Sequence, residues 1–129
     1  MSVDAVLLAV RDGGLRVVLS PAAEAGPLAL PGCTVRPDED LDAAVRRAVR
    51  QSGVPVPHLE QLASYGSPRR VPGSRVVSVA YLGLLAAGAA PSSTADHDAG
   101  TFPLDVVDPP GALAFDHARI VADGVERAR

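Results

Sequence analysis

Residues 37–53 carry the feature that most restricts the fold, an amphipathic helix with opposite charges at its two ends. Acidic side chains gather at its start and arginines at its end, where a helix dipole favours each charge. Its apolar residues recur three and four positions apart, at Leu41, Ala44, Val45, Ala48 and Val49. Gly53 and the prolines at 55 and 57 end the pattern. The sequence therefore predicts a helix with one apolar face.

Apolar runs on both sides of this helix predict strands. Residues 5–10 and 15–19 flank Gly13 and Gly14, a pattern typical of a β-hairpin. A loop rich in Gly and Pro, residues 66–73, separates two later apolar segments. The later strands are predicted at residues 58–65, 75–85 and 102–104, and a terminal helix at residues 115–127. The order predicts a mixed chain of strands and helices.

Composition excludes several classes of protein. The chain has 129 residues, 47% of them apolar, which suits one domain over residues 1–129 and leaves no room for a second core. No apolar run reaches the ~18 residues of a membrane-spanning helix, and the N-terminus lacks the basic region of a signal peptide. The single cysteine, Cys33, excludes an internal disulfide and a thiolate-rich zinc site. We therefore expect a cytoplasmic protein without a membrane partner.

The charge composition says little about phosphate binding. The net charge is −3, which implies no strong field for nucleic acid or an anionic membrane. Every Lys or Arg position is Arg, Asn is absent and Ile120 is the single isoleucine. The codons of the missing residues are AT-rich, so this bias predicts a bacterium with a GC-rich genome rather than selection for arginine at a site.

Residues 32–54, GCTVRPDEDLDAAVRRAVRQSGV, are the most informative stretch. They resemble the Nudix box, the loop-helix-loop signature of the Nudix hydrolase superfamily, whose pattern is G-x5-E-x7-R-E-U-x-E-E-x-G-U with U apolar. Residues 28–32, LALPG, resemble the lead-in that precedes the box. The positions that match are Gly32, Asp38 in place of the first glutamate, Arg46, Ala48, Gly53 and Val54.

Two flanking segments extend the resemblance over nearly the whole chain. Residues 58–85 resemble the strand-loop-strand segment of the subgroup that acts on ADP-ribose and related nucleotides. Residues 102–129 resemble the C-terminal segment of that subgroup, with its Phe-Asp-His-Ala-x-Ile helix. The resemblance implies an α/β protein with the Nudix fold, an α/β/α sandwich around a mixed β-sheet.

The departures from the box concern its chemistry. In the superfamily, helix carboxylates bind Mg²⁺ or Mn²⁺, and the metal activates water for attack on a diphosphate. Arg47, Arg50 and Gln51 stand where three of those glutamates are usual. The earlier acidic residues, at 38–40 and 42, lie too far along the chain to replace them in place. The sequence therefore predicts a degenerate box without metal-dependent hydrolysis by the usual route.

Several basic and acidic residues leave two interpretations open. Arg47 and Arg50 could bind a diphosphate in place of the metal, or they could be solvated residues that complement the helix C-terminus. Arg69, Arg70 and Arg75 could contact phosphate or ribose at a pocket rim, or form an exposed basic loop. Asp116 and His117 are near the ligand pocket by resemblance; alternatively Asp116 caps the helix and His117 is a surface or core residue.

The expected function is binding of a nucleoside diphosphate derivative, ADP-ribose or an NAD-related metabolite. The alternatives are an active hydrolase with relocated ligands or metal-independent chemistry, and a scaffold or interaction protein. Some regulators of the superfamily carry a winged helix after this domain; the chain ends at Arg129, so we expect no direct nucleic-acid binding, and a homodimer is compatible with the resemblance. No catalytic residue, metal site or cofactor is assigned, although Mg²⁺ is usual for the superfamily. The predicted ligand-binding residues are Arg36, Asp38, Arg46, Arg47, Arg50, Gln51, Arg69, Arg70, Arg75, Asp116 and His117.

Overall fold

The described part of the chain has one central and one terminal α-helix among its strands, as the apolar pattern predicts. The computed structural model describes residues 1–11, 13–21, 27–86, 100–107 and 111–129. The strands of this part are β1 (Ser2–Arg11), β2 (Gly14–Pro21), β3 (Leu28–Ala29), β4 (Gly32–Thr34), β5 (Leu59–Tyr65), β6 (Ser78–Leu84) and β7 (Gly100–Pro103). The helices are α1 (Leu41–Gln51) and α2 (His117–Ala128), and a 3-10 turn covers Leu104–Val107.

The strands form a mixed sheet with β1 at its centre. Its main path runs in the order β3-β2-β1-β6-β5, with β4 paired to β1 and β7 paired to β2. The β1–β2 hairpin is antiparallel, as predicted, and Gly13 in its turn has a φ of 77°. β1 and β6 are parallel, with Ser2 opposite Ser78 and Leu8 opposite Leu84. The predicted mixed β-sheet is therefore confirmed.

Residues 5–10 of strand β1 are a continuous apolar run, and alternate residues of a strand point in opposite directions. The strand therefore places apolar side chains on both faces of the sheet. Val3, Ala5 and Leu7 pack in one core cluster with the buried residues of α1. Val6 and Leu8 pack in a second cluster that contains residues of α2. The α1 residues in the first cluster are Ala44, Val45 and Val49, and the α2 residues in the second are Ile120 and Val121. The two helices therefore cover opposite faces, which confirms the predicted α/β/α sandwich.

Helix α1 begins later than residues 37–53 predict. Asp40 is the N-cap, and its Oδ1 accepts a hydrogen bond of 2.7 Å from the Ala43 amide. Before it, the Glu39 amide donates to the Arg36 carbonyl, so the chain makes a separate turn. The predicted start at residue 37 is wrong because residues 36–39 form this turn and Asp40 caps the helix after it. The helix ends at Gln51, and Gly53 follows with a φ of 81°.

The remaining predicted elements are present with shifted ends. The predicted strand over residues 75–85 is shorter, since β6 is Ser78–Leu84. The predicted terminal helix starts at His117 rather than at Phe115. None of the helices in the described residues is long and apolar enough to cross a membrane.

Helix α2 approaches β1 closely at Gly124. A Cβ at this position would lie 2.9 Å from Cγ1 of Val6, a fully buried residue of the central strand. Gly is the residue that permits such a close helix–sheet approach. The position of α2 on the sheet therefore depends on the absence of a side chain here.

Replacing Gly124 tests this packing. We expect Gly124→Leu to lower the free energy of unfolding by about 1–3 kcal/mol, because the new side chain overpacks against Val6. The matched control is Ala122→Leu on the exposed side of the same helix, which should change the value by less than about 0.5 kcal/mol. The measurement is urea unfolding of both variants, and equal losses would contradict this account of the packing.

Candidate functional site

A cavity of about 980 Å³ lies where the start of β1 meets the end of α1. The segment that contains β3 and β4 forms one wall, and Arg70, Phe115 and His117 form another. Its principal lining residues are Ser2, Val3, Asp4, Leu30, Pro31, Gly32, Cys33, Thr34, Ala48, Gln51, Ser52, Arg70, Phe115 and His117. We call this space the main cavity. Its size is that of a small-molecule site.

Backbone hydrogen bonds fix the wall at residues 28–34. The Ala5 amide donates to the Pro31 carbonyl at 2.8 Å, and β4 pairs with β1. At Gly32 a Cβ would lie 2.3 Å from Oδ1 of Asp4 and 2.7 Å from the Val3 carbonyl oxygen. A larger residue at 32 would therefore displace either this wall or the Asp4 side chain.

Asp4 and Arg70 are the centre of a buried charged cluster beside the main cavity. Oδ2 of Asp4 accepts a hydrogen bond from the Ser78 hydroxyl at 2.5 Å and lies 3.9 Å from NH2 of Arg70. Arg70 also donates two hydrogen bonds to Asp116, from Nε at 2.9 Å and from NH2 at 2.8 Å. Asp4, Arg70 and Ser78 are all buried. This paired geometry fixes the loop, the strand and the start of α2 relative to one another.

His117 is held in one neutral tautomer by this arrangement. Its Nδ1 accepts a hydrogen bond of 3.0 Å from the Leu30 amide, so the ring proton belongs on Nε2, which lies 3.5 Å from Oδ1 of Asp4. Burial lowers the pKa of His117 below its usual 6.5, with the Arg70 charge acting in the same direction, although Asp4 and Asp116 oppose it. His117 is therefore an uncharged hydrogen-bonding group at neutral pH.

Phe115 lines the main cavity in an unusual backbone conformation. Its φ is 52°, in the left-handed region that bulky residues rarely adopt, and the residue is 57% exposed. Its ring lies 5.7 Å from that of His117, in an edge-to-face arrangement with an interplanar angle of 71°. An exposed aromatic ring therefore stands at the wall of the cavity.

Arg47 forms an ion pair with Glu39. It donates to both carboxylate oxygens of Glu39, at 2.9 and 2.8 Å, and to the Thr34 carbonyl at 2.9 Å. The hydrogen bonds from Arg47 lower the pKa of Glu39 to about 2. Arg47 is therefore not a solvated residue at the helix terminus, and it joins α1 to the end of β4.

The predicted ligand-binding residues fall into two groups. Gln51, Arg70 and His117 line the main cavity. Asp116 does not line it, but accepts a hydrogen bond from Arg70. The others do not line it: Arg36, Asp38, Arg46 and Arg50 are exposed, Arg47 is paired, and Arg69 and Arg75 line a separate depression in the loop.

The exposed-loop alternative is wrong for Arg70 alone, and the alternative for α2 is wrong for Asp116 but not for His117, which is buried. Arg70 does not belong to an exposed basic loop, because it is 7% exposed, whereas Arg69 and Arg75 are exposed. Asp116 stands at the N-cap of α2 but its side chain makes no capping hydrogen bond, since it binds Arg70.

Sequence reasoning did not identify Asp4 and Ser78. The signal for Asp4 was a single carboxylate in the otherwise apolar residues 3–9 of a predicted strand. Such a residue costs free energy when buried unless it is paired, so it indicates a partner elsewhere in the chain. Ser78, at the start of a predicted buried strand, gave no comparable signal.

The residues beside α1 do not fit a magnesium ion. The residues of α1 and its C-cap that line the main cavity are Ala48, Gln51 and Ser52, and none is a carboxylate. Mg²⁺ and Mn²⁺ prefer carboxylate oxygens as protein ligands. Among the described residues, no group of three or more His, Cys, Asp and Glu side chains could hold a metal ion.

Comparison with known proteins agrees with this architecture. Residues 1–124 match the family described as NUDIX domain. The NUDIX domain of Shewanella oneidensis NrtR complexed with ADP ribose matches with a TM-score of 0.81 and 32% identity, covering 99% of this chain and 87% of that chain. S. oneidensis NrtR complexed with a 27mer DNA also matches with a TM-score of 0.81, at 28% identity, covering 99% of this chain and 61% of that chain.

A curated relative is also similar over part of the chain. The ADPR responsive transcriptional repressor NtrR of Acinetobacter baylyi is 33% identical over 91 residues, which are 66% of this chain and 36% of that protein. The chain thus spans about a third of the length of this relative.

The neutral state of His117 predicts a pH dependence of stability. Because the folded pKa lies below 6.5, the unfolded chain takes up the proton first as pH falls. The free energy of unfolding should therefore fall between pH 7.0 and 5.5. This window lies above the range of Glu39, whose contribution is lost as pH falls from 4.5 towards 2.

Two variants separate the effect of His117 from that of His58. Urea unfolding of His117→Gln should show a smaller change between the two pH values than the wild-type protein shows. His58→Gln, at an exposed position, should behave like the wild type. An identical pH dependence in His117→Gln and wild type would contradict the assignment.

Proposed function

The chain belongs to the NUDIX domain family, and on that premise we propose that it binds a nucleoside diphosphate derivative, ADP-ribose first among the candidates, without the metal-dependent hydrolysis usual for the family. The observation that carries the proposal is the α1 side of the main cavity, where Gln51 and Ser52 stand and no carboxylate is present. Such a surface offers hydrogen bonds to a bound small molecule, but it offers no carboxylate that could coordinate a divalent cation.

The choice of ligand is supported by similarity and by size. A NUDIX domain in complex with ADP ribose matches almost the whole chain at 32% identity. The main cavity, at about 980 Å³, lies near the upper end of small-molecule pockets, about 300–1,000 Å³. An extended ligand with a base, two sugars and a diphosphate suits such a volume.

The polar groups of the cavity define the proposed binding residues. Gln51, Arg70 and His117 line it, and we assign them to ligand binding or to shaping the site. Arg70 already donates two hydrogen bonds to Asp116, and Arg47 donates two to Glu39. A ligand phosphate would therefore have to compete with a carboxylate for either guanidinium group.

The proposal is limited to binding by this chain. The similarity to an ADPR responsive repressor covers a minority of that protein, so regulation of transcription is not assigned here. A homodimer, and the absence of direct nucleic-acid contact, stay predictions.

Calorimetric titration with ADP-ribose tests the proposal. We expect a saturating heat with the same dissociation constant in Mg²⁺ and in EDTA, because no residue of the site requires the metal. Gln51→Ala should weaken binding, whereas Gln61→Ala should not, since Gln61 lies on β5 and donates to the Tyr81 hydroxyl. A continuous heat output in Mg²⁺ alone would indicate turnover and would contradict the proposal.

Restoring the carboxylates tests the account of the lost chemistry. We expect the triple variant Arg47→Glu, Arg50→Glu, Gln51→Glu to gain Mg²⁺-dependent conversion of ADP-ribose to AMP and ribose 5-phosphate, measured by chromatography. The matched control is Arg47→Gln, Arg50→Gln, which loses the same cations without adding carboxylates. Thermal melting of both variants must accompany the assay, because each loses the Arg47–Glu39 ion pair. Equal rates in the wild type and the triple variant would contradict the account.

A further inference from the structure

Phe115 combines an unusual backbone conformation with high exposure at the wall of the main cavity. It is 57% exposed, although an aromatic ring normally gains free energy by burial. It also has a φ of 52°, which disfavours a bulky residue. Strained residues of this kind are concentrated at ligand-binding sites, where the surrounding structure holds them.

Contacts on both sides of Phe115 hold it in place. The preceding Ala114 donates its amide to the Leu28 carbonyl at 2.8 Å. The following Asp116 accepts two hydrogen bonds from Arg70, and His117 accepts one from Leu30. The backbone of Phe115 therefore cannot relax without breaking one of these contacts.

The Phe115 ring is also the natural platform for an aromatic ligand group. Among the described residues, Phe115 and His117 are the only aromatic side chains that line the main cavity. Tyr65 and Tyr81 are buried in the two core clusters. An edge-to-face contact with His117 supports the Phe115 ring, and more than half of the residue remains accessible.

The charged side chains beside Phe115 make that end of the main cavity unsuitable for a diphosphate. Asp4 and Asp116 face a single guanidinium group, that of Arg70, and His117 is uncharged. The cluster therefore carries more negative than positive charge, and it would repel phosphate oxygens more than an uncharged base.

We propose that Phe115 is the stacking platform for the nucleobase of the bound nucleotide, so that the base occupies the Phe115 end of the main cavity and the phosphates lie away from it. This deepens the proposed function and rests on it for the nature of the ligand. Stacking on one ring tolerates different bases, so Phe115 selects for an aromatic base rather than for a particular sequence of donors and acceptors.

Titration of a Phe115 variant with two ligands tests the proposal. Phe115→Ala should weaken binding of ADP-ribose by about tenfold or more, the effect of losing one base–aromatic stack. Binding of ribose 5-phosphate, which has no base, should not change between Phe115→Ala and wild type. Leu84→Ala, at an equally exposed residue outside the cavity, should bind both ligands as wild type does. Unchanged ADP-ribose binding by Phe115→Ala overturns the platform and leaves the proposed function standing.

A second measurement applies even if ADP-ribose is not the ligand. The chain has two tyrosines but no tryptophan, so Phe115→Trp introduces a single tryptophan, which can be excited selectively, at the proposed platform. AMP or GMP should quench its emission in a saturable way, and ribose 5-phosphate should not. Leu84→Trp supplies the control for collisional quenching. If wild type fails to bind ADP-ribose, the proposed function fails; if neither AMP nor GMP quenches Phe115→Trp above the control, the platform is overturned.

Phe115→Gly separates a binding role from a structural one. Gly adopts a positive φ without strain, so this variant should melt at the wild-type temperature or above it while it loses affinity for ADP-ribose. A lower melting temperature together with wild-type affinity would assign Phe115 to packing and overturn the proposal.

Discussion

The buried guanidinium group of Arg70 is the contact on which the arrangement of the site depends. Its side chain is 3% exposed, and it joins the loop after β5 to Asp116 at the start of α2 and to Asp4 on the central strand. Removing a charge from water costs several kcal/mol, so such a group is stable only with close partners. Here two carboxylates supply them, and Ser78 and His117 complete the surroundings of Asp4. The loop, the central strand and α2 therefore have one relative position that satisfies all of these groups.

Arg47 gives helix α1 a structural contact with the segment before it. Arg47 clamps Glu39 and the Thr34 carbonyl, so it fixes the turn between β4 and α1. An exposed ion pair contributes little to stability, but this pair is largely shielded, with 18% and 12% of the side chains exposed. The contacts of Arg47 therefore keep the end of β4 in register with the helix.

The sequence predicted local structure well because the signals for it are local. The amphipathic residues of α1, the hairpin at Gly13 and the apolar run of β1 each lie within one short stretch of chain. The box resemblance predicted the sandwich. The same pattern misplaced the start of α1, since Asp38 and Asp40 are both suitable N-cap residues and only the structure selects Asp40.

The charged cluster was beyond sequence reasoning because its contacts join distant parts of the chain. Arg69 and Arg70 are neighbours in a Gly- and Pro-rich loop, and nothing in the local sequence says that one is exposed and the other buried. The choice is made by Asp116 and Asp4, which approach from α2 and β1. The ion pair of Arg70 with Asp116 also holds the backbone after Phe115, and burial in the same region keeps His117 uncharged. The group that stabilises the core of the site therefore also shapes the end of the cavity at which an uncharged aromatic ligand group is favoured over a phosphate.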